Sequence, residues 1–308
     1  DEQNIRRALS DLLDLDGIVL RPDYRKEFIN GGSFLDEWGC RRQTTRENIS
    51  IITDHPVKDV RNHREYTFPD PEAEHRFTRL RRAVELYGGT KAVILNVRDV
   101  FSDIRDLLGY ENALIALLTE PEYVGEFIDR VVEYNYTLAE TACREFGIEI
   151  VATTDDIAGN RGLIMSPETY FAVLAPRFQK AVAGFKSLGC YCIKHCDGDV
   201  SGLIEHWIES GVDCMDPVDP NGGMVLRDIK ERYGKRICLK GNIDCQGVLV
   251  SGTEEEVDEA VRQAVHDAGK GGGYILSSSN MIHSGVKPEN YKAMIHAVRR
   301  YGRNPEAV

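Results

Sequence analysis

The residues of this chain with the most chemical potential are acids, amides and one imidazole that recur at short intervals: Asn96 and Arg98, Asp155 and Asp156, His195 and Asp197, Asp216 and Asp219, Asn242 and Asp244, then Ser277–Asn280 with His283. His195 and Asp197 are two apart, so on a strand end both side chains point the same way and could face one ligand. An imidazole with a carboxylate suits zinc or another divalent ion. The plainer alternative is that the two are hydrogen-bonded only to each other or to backbone. Asp155 and Asp156 have a similar double reading, as site acids or as an Asx-turn before the loop containing Gly159 and Gly162. Carboxylates crowded into one mouth raise one another's pKa unless a metal, a cationic ligand or protonation resolves the repulsion. That tension is a reason to expect chemistry there.

What would bring these residues together is the order of the elements that carry them. From about residue 90 the chain alternates short β-branched runs with longer amphipathic stretches, which implies βα units around a parallel sheet. The spacing predicts strands over Ala92–Val97, Ile148–Thr153, Tyr191–Lys194, Cys214–Met215, Arg236–Lys240 and Gly273–Leu276. It predicts helices over Asn112–Leu118, Val124–Phe146, Pro167–Leu188, Leu203–Glu209, Met224–Tyr233, Glu254–Ala268 and Pro288–Tyr301. Ser166 before Pro167, and Thr253 before three glutamates, read as helix starts. Gly147, Gly189, Gly211, Gly234 and Gly269 read as left-handed helix ends. No linker or composition shift divides the chain, so the expected fold is α/β, a (β/α)₈ TIM barrel in a single domain over residues 1–308. Within it, residues 1–90 carry loop or hairpin elements at Ser33–Arg42 and Ile51–Lys58. In such a barrel the reacting groups sit at the C-terminal ends of the strands, which is where the polar groups above fall.

Composition narrows the function classes. The 308 residues are 42% hydrophobic and 29% charged, enough for a large core. A formal net charge of -12 argues against nucleic-acid partners, which require a basic surface to release counterions. No apolar run is long enough to span a membrane, and Asp1-Glu2-Gln3-Asn4 is unlike a secretory signal, so a cytoplasmic protein without a membrane partner is expected. The eight cysteines are scattered and read as reduced, mostly as small buried apolar residues. Gly271, Gly272 and Gly273 precede a strand, where they make a tight turn and not a phosphate cradle. His55, His63, His75, His206, His266 and His296 read as surface residues.

Lys194-His195-Cys196-Asp197-Gly198-Asp199, Gly211-Val212-Asp213 with Asp216-Pro217, Gly241-Asn242-Ile243-Asp244 and Pro288-Glu289-Asn290-Tyr291-Lys292-Ala293-Met294 resemble, in order and spacing, the uroporphyrinogen decarboxylase superfamily. Asp36-Glu37-Trp38-Gly39, Asp155-Asp156-Ile157-Ala158 and Ser166-Pro167-Glu168 look like its uncharacterised and methyltransferase-like branches. The resemblance implies the (β/α)₈ barrel and two chemistries. Authentic porphyrinogen decarboxylases carry an N-terminal Met-Arg-Gln-Ala-Gly-Arg loop and a Phe-Ser-Asp-Ile segment with the catalytic acid. The first has no counterpart in its expected place. Phe101-Ser102-Asp103-Ile104 matches the letters of the second but follows the Ala92–Val97 strand too late, and we take it as coincidence. The corrinoid-linked methyltransferases hold zinc through a His-x-Cys pair and a later Cys. Here His195 matches the His, but Asp197 and Asn280 stand where the cysteines would be.

That resemblance, with its departures, implies metal-assisted methyl transfer from a small methylated or methoxylated molecule to a corrinoid carried by a partner protein. A divalent ion, zinc in the resembling enzymes, would sit on His195 and Asp197, with Cys245 a spare thiolate. Asp155 and Asp156 join them as catalytic candidates. Asn96, Arg98, Asp216, Asn242, Asp244, Asn280 and His283 are the substrate-binding candidates. A homodimer is the assembly that analogy with such barrels suggests. Two alternatives stand beside this reading. One is a metal-independent decarboxylase or lyase using a carboxylate such as Asp156 on a small carboxylated substrate. The other is a non-catalytic barrel that binds a small molecule or a partner protein.

Overall fold

In the computed structural model, residues 15–45 and 50–303 are described. They fall into two compact units, one built from Leu15–Asp155 and Met165–Cys192, the other from Asp156–Ile164 and the chain from Ile193 on.

In the first unit, parallel strands β1 (Gly17–Leu20), β6 (Ala92–Arg98) and β7 (Ile150–Thr154) pair in that order. Between β1 and β6 the chain makes an antiparallel sheet of β2 (Lys26–Asn30), β3 (Ser33–Asp36), β4 (Arg41–Thr44) and β5 (Ser50–Asp54). The sequence shows this region only as loop or hairpin, because its strands are short and mostly exposed and lack a clean apolar alternation. The long helix Pro121–Phe146 buries Val124, Phe127, Ile128, Val131, Leu138 and Ala142, a stripe at helical spacing. Each large side chain on that stripe contributes about 1.5–3 kcal/mol of burial. The expected helix over Pro167–Leu188 is interrupted by one wide π-type turn at Tyr170–Leu174. Pro176 follows immediately and has no N–H to give the carbonyl one turn back, which explains the irregularity.

In the second unit a short hairpin, β8 (Ala158–Gly159) with β9 (Gly162–Leu163), fills the loop expected after Asp155 and Asp156. β10 (Tyr191–His195) enters this unit at Ile193 and pairs in parallel with β11 (Cys214–Val218), which pairs with β12 (Cys238–Ile243) and that with β13 (Tyr274–Ser278). Trp207, Met215, Val218, Leu239, Leu249, Val257 and Val261 are fully buried and form its core. The helix Glu254–Ala268 starts where expected. Thr253 accepts from Glu256 N at 3.2 Å, and the Glu256 carboxylate accepts from Thr253 N at 2.8 Å, a complete capping box.

The chain is therefore α/β, with seven parallel strands among the described residues alternating with helices. Two expectations about local structure are corrected. Gly147, Gly189 and Gly211 are left-handed as expected, but Gly234 and Gly269 are right-handed, so those helices close in an ordinary turn. His63 is not a surface residue: it is 1% exposed and packs against Phe127, with Nε2 on Glu126 at 3.2 Å. Among the described residues no helix is long and apolar enough to cross a membrane.

Candidate functional site

The second unit gathers Asp156, His195 and Asp197, each offering a ligand atom within 4.8 Å of the others. Local structure accounts for the convergence. His195 is the last residue of β10, Asp197 lies two further on, and Asp156 leads into β8. His195 Nε2 stands 3.6 Å from Asp197 Oδ1, and that oxygen is buried without a hydrogen-bond partner. A buried carboxylate oxygen left unpaired is costly unless a cation meets it. One imidazole and two carboxylates form a hard N/O donor set that fits a divalent ion.

The other face of the imidazole is held. The β10/β11 register sets His195 beside Asp216, and Nδ1 lies 3.4 Å from Asp216 Oδ2. Lys240 on β12 donates to Asp216 Oδ1 at 2.6 Å. Burial disfavours the Asp216 carboxylate, yet the Lys240 ammonium and His195 outweigh it and hold its pKa well below the ordinary range. For His195, burial opposes the imidazolium, but the Asp216 hydrogen bond and the charges of Asp216 and Asp197 win and raise its pKa. Asp197 is raised by burial, against the pull of His195, with Asp156 and Asp219 adding to the rise. Asp216 thus braces the imidazole so that Nε2 faces Asp197, the arrangement by which a carboxylate orients a ligating histidine.

Asn280 donates to Asp197 Oδ2 at 2.7 Å. The remaining candidates of this unit hold the backbone around the site. Asp244 accepts from Asn221 Nδ2 and Gln246 N, at 3.0 and 2.8 Å. Asn242, at φ 85°, donates to Val218 O at 3.0 Å. His283 Nε2 meets Cys245 O at 3.0 Å. Cys245 is buried, its thiol takes a 3.6 Å contact from Ser279 Oγ, and burial raises its pKa. It is not among the Asp156, His195 and Asp197 group whose ligand atoms converge. Gly271, Gly272 and Gly273 all have positive φ and turn the chain into β13, as expected of a tight turn.

Asp155 belongs to the first unit and is fully buried. Its carboxylate accepts from Phe101 N at 2.9 Å and Ser102 Oγ at 2.8 Å, tying the end of β7 to the start of helix Ser102–Leu108. Its neighbour Asp156 belongs to the second unit, and successive residues of an extended chain point to opposite sides. Asn96 and Arg98 line a cavity of about 180 Å³ in the same unit. There Arg98 bridges Asp103 (3.1 Å) and Asp106 (2.8 Å), and Arg42 bridges Asp36 (2.6 Å) and Asp106 (3.3 Å). Burial pushes the Asp103 carboxyl up to about 6. Lys240 was not singled out from the sequence, and Asp103 was named there only within a segment set aside as coincidence. For Lys240 the signal was a charged residue closing the apolar run Ile237-Cys238-Leu239.

A family model described as uroporphyrinogen decarboxylase (URO-D) matches residues 34–301. A methylated-thiol–coenzyme M methyltransferase of Methanosarcina mazei is 24% identical over 213 residues, 69% of this chain and 54% of that protein. Uroporphyrinogen decarboxylases of Synechocystis sp. and Thioalkalivibrio sulfidiphilus are 26% identical over 186 residues and 24% over 272, covering 59% and 80% of this chain and 49% and 71% of theirs. The chain thus spans about half the length of the methyltransferase and of the Synechocystis enzyme. A solved methyltransferase from Methanosarcina mazei superposes with a TM-score of 0.75 at 20% identity, over 96% of this chain and 83% of that one. That likeness shows the fold they share.

Proposed function

Because the chain belongs to the uroporphyrinogen decarboxylase family, we propose that it is an enzyme of that family's methyltransferase side, taking a methyl group from a small methylated or methoxylated molecule. The methyl acceptor in this reading is a corrinoid on a partner protein. The fold that goes with it is the (β/α)₈ barrel in a single domain, supported by the seven parallel strands and the family membership. Asp156, His195 and Asp197 would hold a divalent ion, and the observation that carries this is the unpaired buried Oδ1 of Asp197 facing the imidazole. The ion would supply Lewis acidity at a substrate oxygen. The chain's own residues do the rest. Asp216 and Lys240 hold His195 in one orientation, Asn280 fixes Asp197, and Asn242 and Asp244 set the backbone of the β12 end.

The test has two parts. Purified chain incubated with zinc, manganese or magnesium should retain about one ion per chain, and His195→Ala should lose it while staying folded. Methyl transfer from a methoxylated aromatic compound to free cob(I)alamin should follow the bound ion. A folded wild-type protein that takes up none of the three ions would end this reading.

A carboxy-lyase is the second reading, favoured by one observation: Asp103, in the Phe101–Ile104 segment, is buried beside Arg98 with its pKa pushed up to about 6. Such an acid can hold or release a proton near neutral pH. Asp156 would serve as the second carboxylate. Carbon dioxide release from a small carboxylated substrate that persists in chelator selects this reading over methyl transfer.

A further inference from the structure

The cavity of the first unit contains an imbalance that its walls do not resolve. Its acceptors are already taken. Asp36 accepts from Trp38 N, Cys40 N and Arg42, while Asp103 accepts from Arg98 and Asn135 Nδ2. Asp106 accepts from Arg98, Arg42 and Arg105. Two donors are left over. Arg76 is 2% exposed and Tyr134 is 5% exposed, both line the cavity, and Arg76 Nη2 and Tyr134 Oη have no hydrogen-bond partner. The two are neighbours: the guanidinium carbon of Arg76 lies 5.8 Å from the Tyr134 ring centroid. Arg76 is anchored behind by Glu37 at 2.7 Å and by the Asp70 carbonyl, so its free nitrogen cannot swing to solvent without breaking that pair.

Surplus buried donors, one of them on a guanidinium, select an anionic acceptor. The wall also carries Arg21, Asp23 and Asn96, with Asp23 accepting from Arg79 N and Asn96 Oδ1 from Thr154 Oγ1, and it has an apolar part: Trp38, packed edge-on against Tyr134 at 4.7 Å, with Val97, Leu107 and Leu138. A volume of about 180 Å³ is somewhat more than the cavity of about 150 Å³ that holds one benzene ring. We infer that this cavity is a binding site for a small organic acid of about single-ring size, its carboxylate accepting from Arg76 Nη2 and Tyr134 Oη and its apolar part lying against Trp38. The site stands on the first unit alone and does not depend on a metal at Asp156, His195 and Asp197.

Isothermal titration of the full chain in the presence of chelator, with benzoate as the probe, tests it without reference to that metal. Benzoate is expected to bind saturably at one site, with benzyl alcohol, its neutral counterpart, at least about tenfold weaker. Tyr134→Phe keeps the ring and removes only the donor, and should weaken benzoate by about five- to tenfold. Should that variant fail to fold, displacement of 4-fluorobenzoate by benzoate but not by benzyl alcohol, followed by fluorine resonance on the wild-type chain, decides the matter. The inference falls if benzoate shows no saturation at tens of millimolar, if benzyl alcohol binds equally well, or if folded Tyr134→Phe binds benzoate as the wild type does.

Discussion

Asn280 and Asp197, 83 residues apart in the chain, are joined by a 2.7 Å hydrogen bond from the amide to one carboxylate oxygen, while the other oxygen faces His195. By the resemblance, these are the two positions at which the methyltransferases would carry zinc-binding cysteines. The departures are therefore coupled: the amide occupies Oδ2 and so directs Oδ1 toward the imidazole. In the proposed reading, a hard oxygen ligand with its own brace would stand where a thiolate pair is expected by the resemblance.

Restoring the sulfurs should reverse that preference. The double variant Asp197→Cys, Asn280→Cys is expected to gain zinc affinity relative to manganese by at least about tenfold, since thiolates favour the softer ion. Competition between the two ions, read by metal analysis after dialysis, checks it. An unchanged ratio would mean that these positions do not contact the ion.

Lys240 is expected to matter through Asp216. Lys240→Met leaves a largely buried carboxylate with no cation beside it apart from His195, and should cost about 2 kcal/mol in urea unfolding. Adding Asp216→Asn removes the stranded charge and should recover much of that loss. A double variant as unstable as the single one would show that the lysine acts by packing alone.

Neighbouring acids should separate cleanly. Asp155→Ala strands the Phe101 N–H and the Ser102 hydroxyl and is expected to destabilise the fold by about 2–4 kcal/mol without loss of bound ion. Asp156→Ala should weaken ion binding with little change in stability. Thermal unfolding paired with metal analysis on both variants reads the contrast, and loss of the ion in a folded Asp155→Ala protein would contradict the assignment.

The pH dependence of stability should carry the mark of Asp103. Its pKa in the fold, about 6, lies above that of an unfolded aspartate because of burial, so the fold favours the protonated form. That contribution is complete below about pH 4 and is lost as the pH rises through about 6. Asp103→Asn cannot ionise. Its stability relative to the wild type should therefore improve between pH 4.5 and 7.5, by on the order of 2 kcal/mol, in urea unfolding at the two values. A difference that stays flat across this range would place the Asp103 pKa near its ordinary value.

Much of the frame was legible beforehand, for identifiable reasons. The helices Glu254–Ala268 and Pro288–Tyr301 coincide with their sequence expectations because caps and apolar spacing are local signals. The strands β11 and β12 extend beyond the expected Met215 and Lys240 to Val218 and Ile243, because pairing resumes at Val218 with Gly241 past an irregularity after Met215, and Asn242 and Ile243 pair with Ser277 and Ser278, where local preference would stop. The strand-end rule also located Asp156, His195 and Asp197. It could not distinguish Asp155 from Asp156, since adjacency in sequence says nothing about which side of the strand each faces until the neighbours are in place.

By itself, the sequence determined the alternation of strands and helices, the acidic charge balance, and the strand ends from which His195, Asp197 and the Asp155–Asp156 pair project. Those follow from spacing and composition, which act over a few residues. Tertiary structure alone decided that Asn280 braces Asp197, that Asp216 and Lys240 back His195, that Cys245 is packed away, and that Arg76 and Tyr134 keep free donors in a cavity wall. Those relationships join residues distant along the chain, and only the register of paired strands and the packing of helices sets such distances.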